Sequence, residues 1–196
     1  MTNNLTLIIL SLITSVILSG CVAVAAGGAT AAGVGMLHDR RTSGAYLKDE
    51  GIEMKASMKL GEHVDITEQA HVNITSYNGA VLLTGEAPSE ELRDKIVSVV
   101  RIVPGVKVVY SEIVVAEPSS LTTRSHDSLI TSKVKTSLIG IRDIPGFDAT
   151  RVKVVTENGT VYLMGLVSKK EADAVVEKAR WVSGVKRVAK VFEYID

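Results

Sequence analysis

Cysteine is almost absent from this chain: Cys21 is the only one among 196 residues. A single cysteine cannot form an intramolecular disulfide, so the usual role of cysteine in exported proteins is excluded. Aromatic residues make up 4% of the chain, with one tryptophan, and no aromatic platform for stacking bases is evident. The 22 basic and 22 acidic residues cancel, which argues against a general nucleic-acid-binding protein.

Catalytic and metal-binding motifs are also missing. The sequence has no Walker loop, no dinucleotide-binding glycine pattern, no Gly-x-Ser-x-Gly and no His-Glu-x-x-His. The four histidines lack the spacing of metal ligands; they are His38, His63, His71 and His126. The acids Asp143, Asp148 and Glu157 are interpreted as solvated loop residues. We therefore expect no enzymatic activity, no cofactor and no metal.

The segment that ends at Cys21 resembles a bacterial lipobox. The cysteine closes the motif Leu18-Ser19-Gly20-Cys21, and a largely apolar stretch over residues 5–18 precedes it. This stretch is shorter than the roughly 20 residues that a helix needs to span a bilayer, and it fits residues 1–20 as a signal peptide better than the alternative, a transmembrane helix. We expect cleavage before Cys21, lipidation of its thiol and a periplasmic location. Val22, where Asp would favour the inner membrane, indicates the outer membrane.

Glycine and alanine dominate the stretch that follows Cys21. Between Val22 and Gly35 there is no charge, and large side chains are few. Residues 21–46 are therefore predicted to form a flexible, lipidated tether, and about 25 Gly-rich residues would reach roughly 25–30 Å on average. Without residues 1–20 the chain has the length of one ordinary domain or two small ones.

An internal repeat favours two small domains. Residues 72–85 are similar to residues 152–165, and the similarity extends further along the chain. The matching positions are Asn78-Gly79 with Asn158-Gly159, Gly85 with Gly165, and Gly105-Val106-Lys107 with Gly184-Val185-Lys186. The first repeat covers 47–115 and the second 124–196, with a polar linker at 117–120.

Each repeat has the pattern of a helix, two strands, a second helix and a third strand. Asn-Gly between two apolar segments predicts a hairpin with a type I′ turn, whose central residues both need positive φ. In the second repeat, Asp127 is a candidate N-cap of the first helix, and Ser168 with Glu171 predicts a capping box for the second. The fold class is therefore α+β, with two tandem αββαβ units, each a three-stranded sheet with two helices on one face.

Four glycines are assigned structural roles. Gly79 and Gly159 belong to the hairpin turns. Gly85 and Gly165 are expected just after a strand, where a side chain would collide with the neighbouring helix or force a poor turn. An ordinary turn glycine is the alternative at these two positions.

The αββαβ order, the Asn-Gly hairpin, the glycine that follows it and the Gly-Val-Lys before the last strand resemble the BON domain family. Two such units behind a lipobox resemble the dual-BON outer-membrane lipoproteins. This resemblance implies a protein without enzymatic activity that binds anionic phospholipids, phosphatidylglycerol or cardiolipin, through its second domain. It also implies a role in outer-membrane integrity and enrichment at the division site. The lipid contact is implied on the first helix of the second domain, with Leu129 where the family has an aromatic.

The charge distribution also favours the second repeat. The first repeat has 7 basic and 11 acidic residues, a net charge of −4, whereas the second has 13 and 9, a net charge of +4. A positive domain suits anionic head groups, although mutual attraction of the two repeats is an alternative explanation. The first helix of the first repeat carries Asp49, Glu50 and Glu53, which would repel an anionic surface.

The helical pattern places Leu129 away from the core residues Ile130, Val134 and Leu138. Lys133 and Thr136 lie on the same side of the helix as Leu129. The main lipid-binding candidates are therefore Leu129, Lys133 and Thr136. Lys135 and Arg124 lie towards another side of the helix and are weaker candidates.

Two questions stay open from the sequence. Trp181 points away from the apolar side of its helix, so it is either half-exposed or covered by the other repeat, and we favour coverage or edge packing. The alternative function is a protein-interaction adaptor, which holds envelope enzymes or outer-membrane assembly factors and touches lipid only incidentally.

Overall fold

A computed structural model describes residues 40–195; the predicted signal peptide, Cys21 and most of the predicted tether lie outside the described residues. The elements of the first repeat are α1 (Ser43–Gly61), the short helix α2 (Val64–Gln69), β1 (His71–Tyr77), β2 (Ala80–Ala87), α3 (Glu90–Arg101) and β3 (Val108–Val115). Those of the second are α4 (Leu121–Ile139), a 3-10 turn (Ala149–Arg151), β4 (Val152–Glu157), β5 (Thr160–Val167), α5 (Lys169–Arg180) and β6 (Arg187–Tyr194).

Each repeat forms a three-stranded sheet with the second strand of its hairpin in the centre. The strand orders are β1-β2-β3 and β4-β5-β6, and in each sheet the first pair is antiparallel and the second parallel. A helix between the second and third strands makes the parallel crossover. The expected pair of αββαβ units is confirmed, and α2 is an addition that the sequence analysis did not predict.

Both hairpins turn through a type I′ turn at Asn-Gly, as predicted. The φ angles are +53° and +82° at Asn78 and Gly79, and +50° and +77° at Asn158 and Gly159. These angles lie in the left-handed region, which asparagine and glycine adopt at the lowest cost.

A buried aspartate on the first helix of each repeat binds the turn. The Asp49 carboxylate accepts hydrogen bonds from the backbone N–H of Asn78 at 2.7 Å and Gly79 at 2.8 Å. Asp127 accepts from the matching N–H groups of Asn158 and Gly159, both at 2.8 Å. Each aspartate therefore joins a helix to the hairpin that it packs on.

The prediction of Asp127 as an N-cap is therefore wrong. Helix α4 begins at Leu121, and the Ser120 hydroxyl caps it by accepting from the N–H of Thr123 at 3.2 Å. Ser120 has the extended backbone that an N-cap requires, whereas Asp127 faces the sheet in the middle of the helix. The capping box at the start of α5 is confirmed, with Ser168 and Glu171 bonded reciprocally.

The pKa of Asp49 reflects these bonds. Burial alone would raise the pKa of this carboxyl. The hydrogen bonds from Ser76, Gly79 and Asn78 and the charge of Arg41 outweigh burial and hold the pKa below its ordinary value. Asp49 is thus held in the ionised form that accepts bonds best.

Three apolar clusters hold the body together. Two of them lie between a sheet and its own helices; they include Ile52, Val81, Leu83 and Ile96 in the first repeat, and Val134, Val161, Leu163 and Val175 in the second. The third combines Tyr77 and Leu82 of the first repeat with Tyr162 and Met164 of the second. Side chains alternate along a strand, so the faces of the two sheets that carry no helices pack against each other.

Ion pairs across this interface join the oppositely charged repeats. Lys153 of β4 lies 2.7 Å from Glu53 of α1, and Arg187 of β6 lies 3.5 Å from Glu112 of β3. In both pairs the basic residue belongs to the second repeat. These pairs support the alternative explanation of the opposite net charges, namely that the two repeats attract each other.

Gly85 and Gly165 lie within β2 and β5 rather than after a strand. A Cβ atom built on Gly85, whose φ is +122°, would lie 1.9 Å from the carbonyl oxygen of His71. A Cβ atom on Gly165 would lie 2.7 Å from the carbonyl oxygen of Arg151. The obstacle in both cases is the backbone of the neighbouring strand, and not a helix as the sequence analysis expected.

These distances predict an order of stability losses. Gly85→Ala should destabilise the protein most, because it combines a backbone collision with a left-handed φ that by itself costs roughly 1–3 kcal/mol. Gly165→Ala should cost less. Gly146→Ala is the control for strain without collision, because φ is +76° there and nothing lies within 4 Å of the added carbon. Urea unfolding would measure the three losses, and equal losses at Gly85 and Gly146 would contradict the collision.

Candidate functional site

Helix α4 carries the lipid-binding candidates. Its inner side is buried and faces the sheet of the second repeat; the buried residues are Asp127, Ile130, Val134 and Leu138. No helix among residues 40–195 is long and apolar enough to cross a membrane.

Leu129 is exposed on the outer side of α4, with 59% of its surface accessible. Lys133 and Thr136 are exposed as well, one and two turns further along the same flank. The Thr136 hydroxyl donates to the carbonyl oxygen of Ser132 at 2.9 Å, so its hydrogen-bonding proton is used within the helix. Lys135 is exposed on another side.

Two further apolar residues extend this outer side, and the sequence analysis missed them. Leu121 and Ile139, at the two ends of α4, have 78% and 72% of their surface accessible. By helical angle both lie within about a quarter turn of Leu129. The signal was present in the sequence, but the misplaced helix start at Asp127 left Leu121 outside the helix.

Arg124 lies apart from these residues. It is half-buried, and its Nε donates to the Ser119 hydroxyl at 3.3 Å. It lines a cavity of about 400 Å³ together with His71 and Glu157. The structure therefore places Arg124 near the interface between the repeats, away from Leu129.

His71, Glu86 and Glu157 form a polar cluster in that interface. Their nitrogen and oxygen atoms lie within 4.8 Å of one another, which is close enough to hold a metal ion. Spacing along the sequence could not predict this cluster, because its three residues come from three different strands. The interpretation of Glu157 as solvated is wrong, since only 5% of it is exposed.

Hydrogen bonds between the repeats already engage both carboxylates of this cluster. Glu157 accepts from the amide of Asn73 at 2.8 Å and from the Thr84 hydroxyl at 3.3 Å. Glu86 accepts from the amide of Asn158 in the second repeat, and also from the backbone N–H of Ser119 in the linker at 3.0 Å. These bonds explain the cluster as the polar part of the domain interface.

Burial raises the pKa of Glu157, and the negative charge of Glu86 raises it further, against hydrogen bonds that lower it. Burial lowers the pKa of His71, and the positive charge of Arg124 adds to this effect. The cluster therefore favours the neutral forms of both Glu157 and His71.

Trp181 is not covered by the other repeat, contrary to the favoured interpretation. It has 73% of its surface accessible and follows the last residue of α5 as the C-cap. The helical angle placed Trp181 away from the apolar side of α5, in agreement with this exposure. Periodicity does not indicate whether another part of the protein covers such a residue.

Two arginines before α1 bind one repeat each. Arg40 donates to Glu171 of α5 at 2.8 Å, and Arg41 donates to Asp49 of α1 at 2.7 Å. The Arg41 guanidinium also lies 3.8 Å from the centre of the Tyr77 ring. Residues 40–46, which the sequence analysis placed in the tether, include the start of α1 at Ser43 and belong to the folded body.

The model of the BON domain family matches residues 48–117 and 126–196. The chain belongs to the BON domain family. Its two BON domains correspond to the two repeats, one sheet and one pair of main helices each. Helix α4 is thus the first helix of the second BON domain.

Three relatives of the chain match it over most of their length. It is 40% identical over 184 residues to "Outer membrane lipoprotein DolP" of Haemophilus influenzae, covering 93% of this chain and 92% of the relative. It is 37% identical over 158 residues to "21 kDa hemolysin" of Actinobacillus pleuropneumoniae, covering 81% and 80%. It is 29% identical over 148 residues to "Osmotically-inducible protein Y" of Escherichia coli, covering 74% and 72%. The chain is therefore a dual-BON protein that resembles DolP.

The buried acid at the BON–BON interface predicts a pH effect on stability. Because the folded pKa of Glu157 is raised, its favourable contribution is present below the unfolded pKa and is lost as pH rises through the folded value. Glu157→Gln keeps an oxygen for Asn73 and Thr84 but removes the charge beside Glu86. We expect its melting temperature to exceed that of the wild type by a few degrees at pH 7, and by less at pH 4.

Thermal melts of the soluble fragment 22–196 between pH 4 and pH 7 would measure this difference. Asp173→Asn, at an exposed acid on α5, controls for the loss of one negative charge and should change the melting temperature little. A Glu157→Gln protein that is less stable than the wild type at pH 7 would contradict the prediction.

Proposed function

We propose that the protein is anchored to the outer membrane by lipid on Cys21, faces the periplasm and docks its second BON domain on anionic phospholipids through α4. The observation that carries this proposal is an exposed leucine, Leu129, beside an exposed lysine, Lys133, on a helix whose other side is fully packed. The name of the Haemophilus influenzae relative supports the membrane and the lipid anchor.

The leucine and the lysine would each contribute to the binding free energy. Burying one leucine contributes roughly 1.5–3 kcal/mol at most. A lysine near an anionic surface contributes about 1 kcal/mol. Binding by α4 alone is therefore weak and depends on the lipid anchor to raise the local concentration of the domain at the membrane. The electrostatic part weakens with salt, because exposed charges are screened over about 8–10 Å at physiological ionic strength.

The first BON domain is poorly suited to the same contact. In α1, Gly51 occupies the position that corresponds to Leu129, so this position has no apolar side chain to enter the bilayer. The exposed Glu50 beside it would repel anionic head groups. Both the apolar and the charged residues therefore support docking through the second domain.

The cellular role that we propose is support of envelope integrity, with enrichment at the division site. It rests on the family resemblance and on docking to anionic lipid. Phosphatidylglycerol and cardiolipin are the proposed lipids.

A protein-interaction adaptor is the second candidate, and one observation favours it. The helical side of the first domain exposes Met54, Met58 and Ile102, with 60%, 65% and 73% of their surfaces accessible. Flexible methionines at a surface are typical of sites that adapt to protein partners. In this function the first domain would hold an envelope protein while the second rests near the membrane.

Lipidation is tested on the mature protein. Mass spectrometry should show an N-terminal Cys21 that carries acyl chains, because the Leu-Ser-Gly-Cys motif follows a short apolar stretch. Cys21→Ser should leave the protein uncleaved or released from the membrane. One acyl chain anchors only marginally, so more than one is expected. A free Cys21 thiol on an uncleaved chain would refute lipidation.

Docking is tested by co-sedimentation of the fragment 22–196 with vesicles. Leu129→Glu should abolish binding to phosphatidylglycerol vesicles, because it places a negative charge where a leucine would be buried. Ile102→Glu is the matched control: it makes the same kind of change at an exposed position of the first domain and should bind like the wild type. Unchanged circular dichroism would show that both variants are folded.

The same assay separates the two candidate functions. Binding that requires anionic lipid and is lost on Leu129→Glu supports docking. Equal binding to neutral vesicles, or wild-type binding by Leu129→Glu, would favour the adaptor.

A further inference from the structure

Trp181 is the only tryptophan of the chain and is 73% exposed at the surface of the second BON domain. Its indole N–H donates to the Glu177 carboxylate at 2.7 Å, one turn earlier in α5. The Arg180 guanidinium lies 5.2 Å from the centre of the ring. The ring is thus held by two neighbours of its own helix, while most of its apolar surface remains in solvent.

Two basic residues and one acid lie near this ring. The last turn of α5 carries Lys178 and Arg180, both exposed. Glu177 is the nearby acid; its carboxylate is occupied by the indole N–H and by Arg180 at 3.2 Å. An exposed tryptophan among basic residues has the chemistry of a side chain at the boundary between hydrocarbon and anionic head groups.

The turn after Trp181 runs against α4. A Cβ atom built on Gly184, three residues after the tryptophan, would lie 2.9 Å from Cγ1 of Ile130. Ile130 directly follows Leu129 and belongs to the buried, inner side of α4. The turn that follows α5 therefore packs against α4 on the helical side of the second domain.

We propose that Trp181 is a second membrane contact, which enters the head-group region of an anionic bilayer beside α4 and makes the docked domain rest on two points instead of one. This inference rests on the proposed function of the second domain. Two contacts on neighbouring helices fix the orientation of the domain on the membrane, which a single leucine would leave free to rotate. Trp181 is a binding residue in this proposal, with Lys178 and Arg180 as its electrostatic partners.

The first BON domain offers an internal comparison. Ile102 is the C-cap of α3, as Trp181 is of α5, and it is equally exposed. The last turn of α3 carries Arg101, whereas the domain as a whole is acidic, with a net charge of −4 over 47–115. A tryptophan moved to Ile102 would have the same place in the fold but would not face the membrane.

The single tryptophan makes the experiment direct. Fluorescence of the fragment 22–196 should shift to shorter wavelength when phosphatidylglycerol vesicles are added, and brominated phosphatidylglycerol should quench it. The control is the double variant Trp181→Phe with Ile102→Trp, whose fluorescence should not respond to the same vesicles. Trp181→Ala should weaken co-sedimentation by roughly threefold to tenfold while the melting temperature stays the same, because the ring is not part of the core.

The outcomes separate this inference from the proposed function. If the wild type co-sediments with anionic vesicles but Trp181 shows neither shift nor quenching, docking stands and the second contact is wrong. If the wild type does not co-sediment at all, the proposed function fails and the inference fails with it. A response of the tryptophan at position 102 equal to that at 181 would also overturn the inference, because it would show binding without orientation.

Discussion

The bare face of each three-stranded sheet is the constraint on which the architecture depends. Helices cover one face of each sheet, and a second apolar face would remain in water if each domain stood alone. Leu82 of one sheet and Tyr162 and Met164 of the other are fully or nearly fully buried because the two faces pack together. The helices are thereby forced to the outside, which is why α4 and the end of α5 are available to a membrane or a partner.

The interface is specified by polar contacts as well as apolar area. The Glu86 carboxylate of the first domain accepts a hydrogen bond from the Asn158 amide of the second. The Glu157 carboxylate of the second domain accepts one from the Asn73 amide of the first. A slip between the sheets would leave buried carboxylates without partners, which costs more than the bonds themselves contribute. The reciprocal bonds therefore fix one arrangement of the domains.

The basic residues of the second domain fall into two groups, one at the domain interface and one on the outer surface. Lys153 and Arg187 of the second domain pair with acids of the first, so part of the positive charge is used between the domains. The lysines on the outer helices, among them Lys133 and Lys178, lie on the side away from the packed sheets. The mutual attraction of the domains and the proposed attraction to lipid therefore involve different residues.

Local patterns in the sequence determined much of the local structure. Asn-Gly determined both turns, Ser168 with Glu171 determined the start of α5, and the repeat determined that the fold occurs twice, since each of these depends on residues close together in the chain. Only the tertiary structure decided which groups meet across long separations. The burial of Glu157 beside Glu86, the role of Asp127 in binding a turn about 30 residues later and the exposure of Trp181 all depend on how the sheets and helices pack. Periodicity within a single helix or strand carries no information about such contacts.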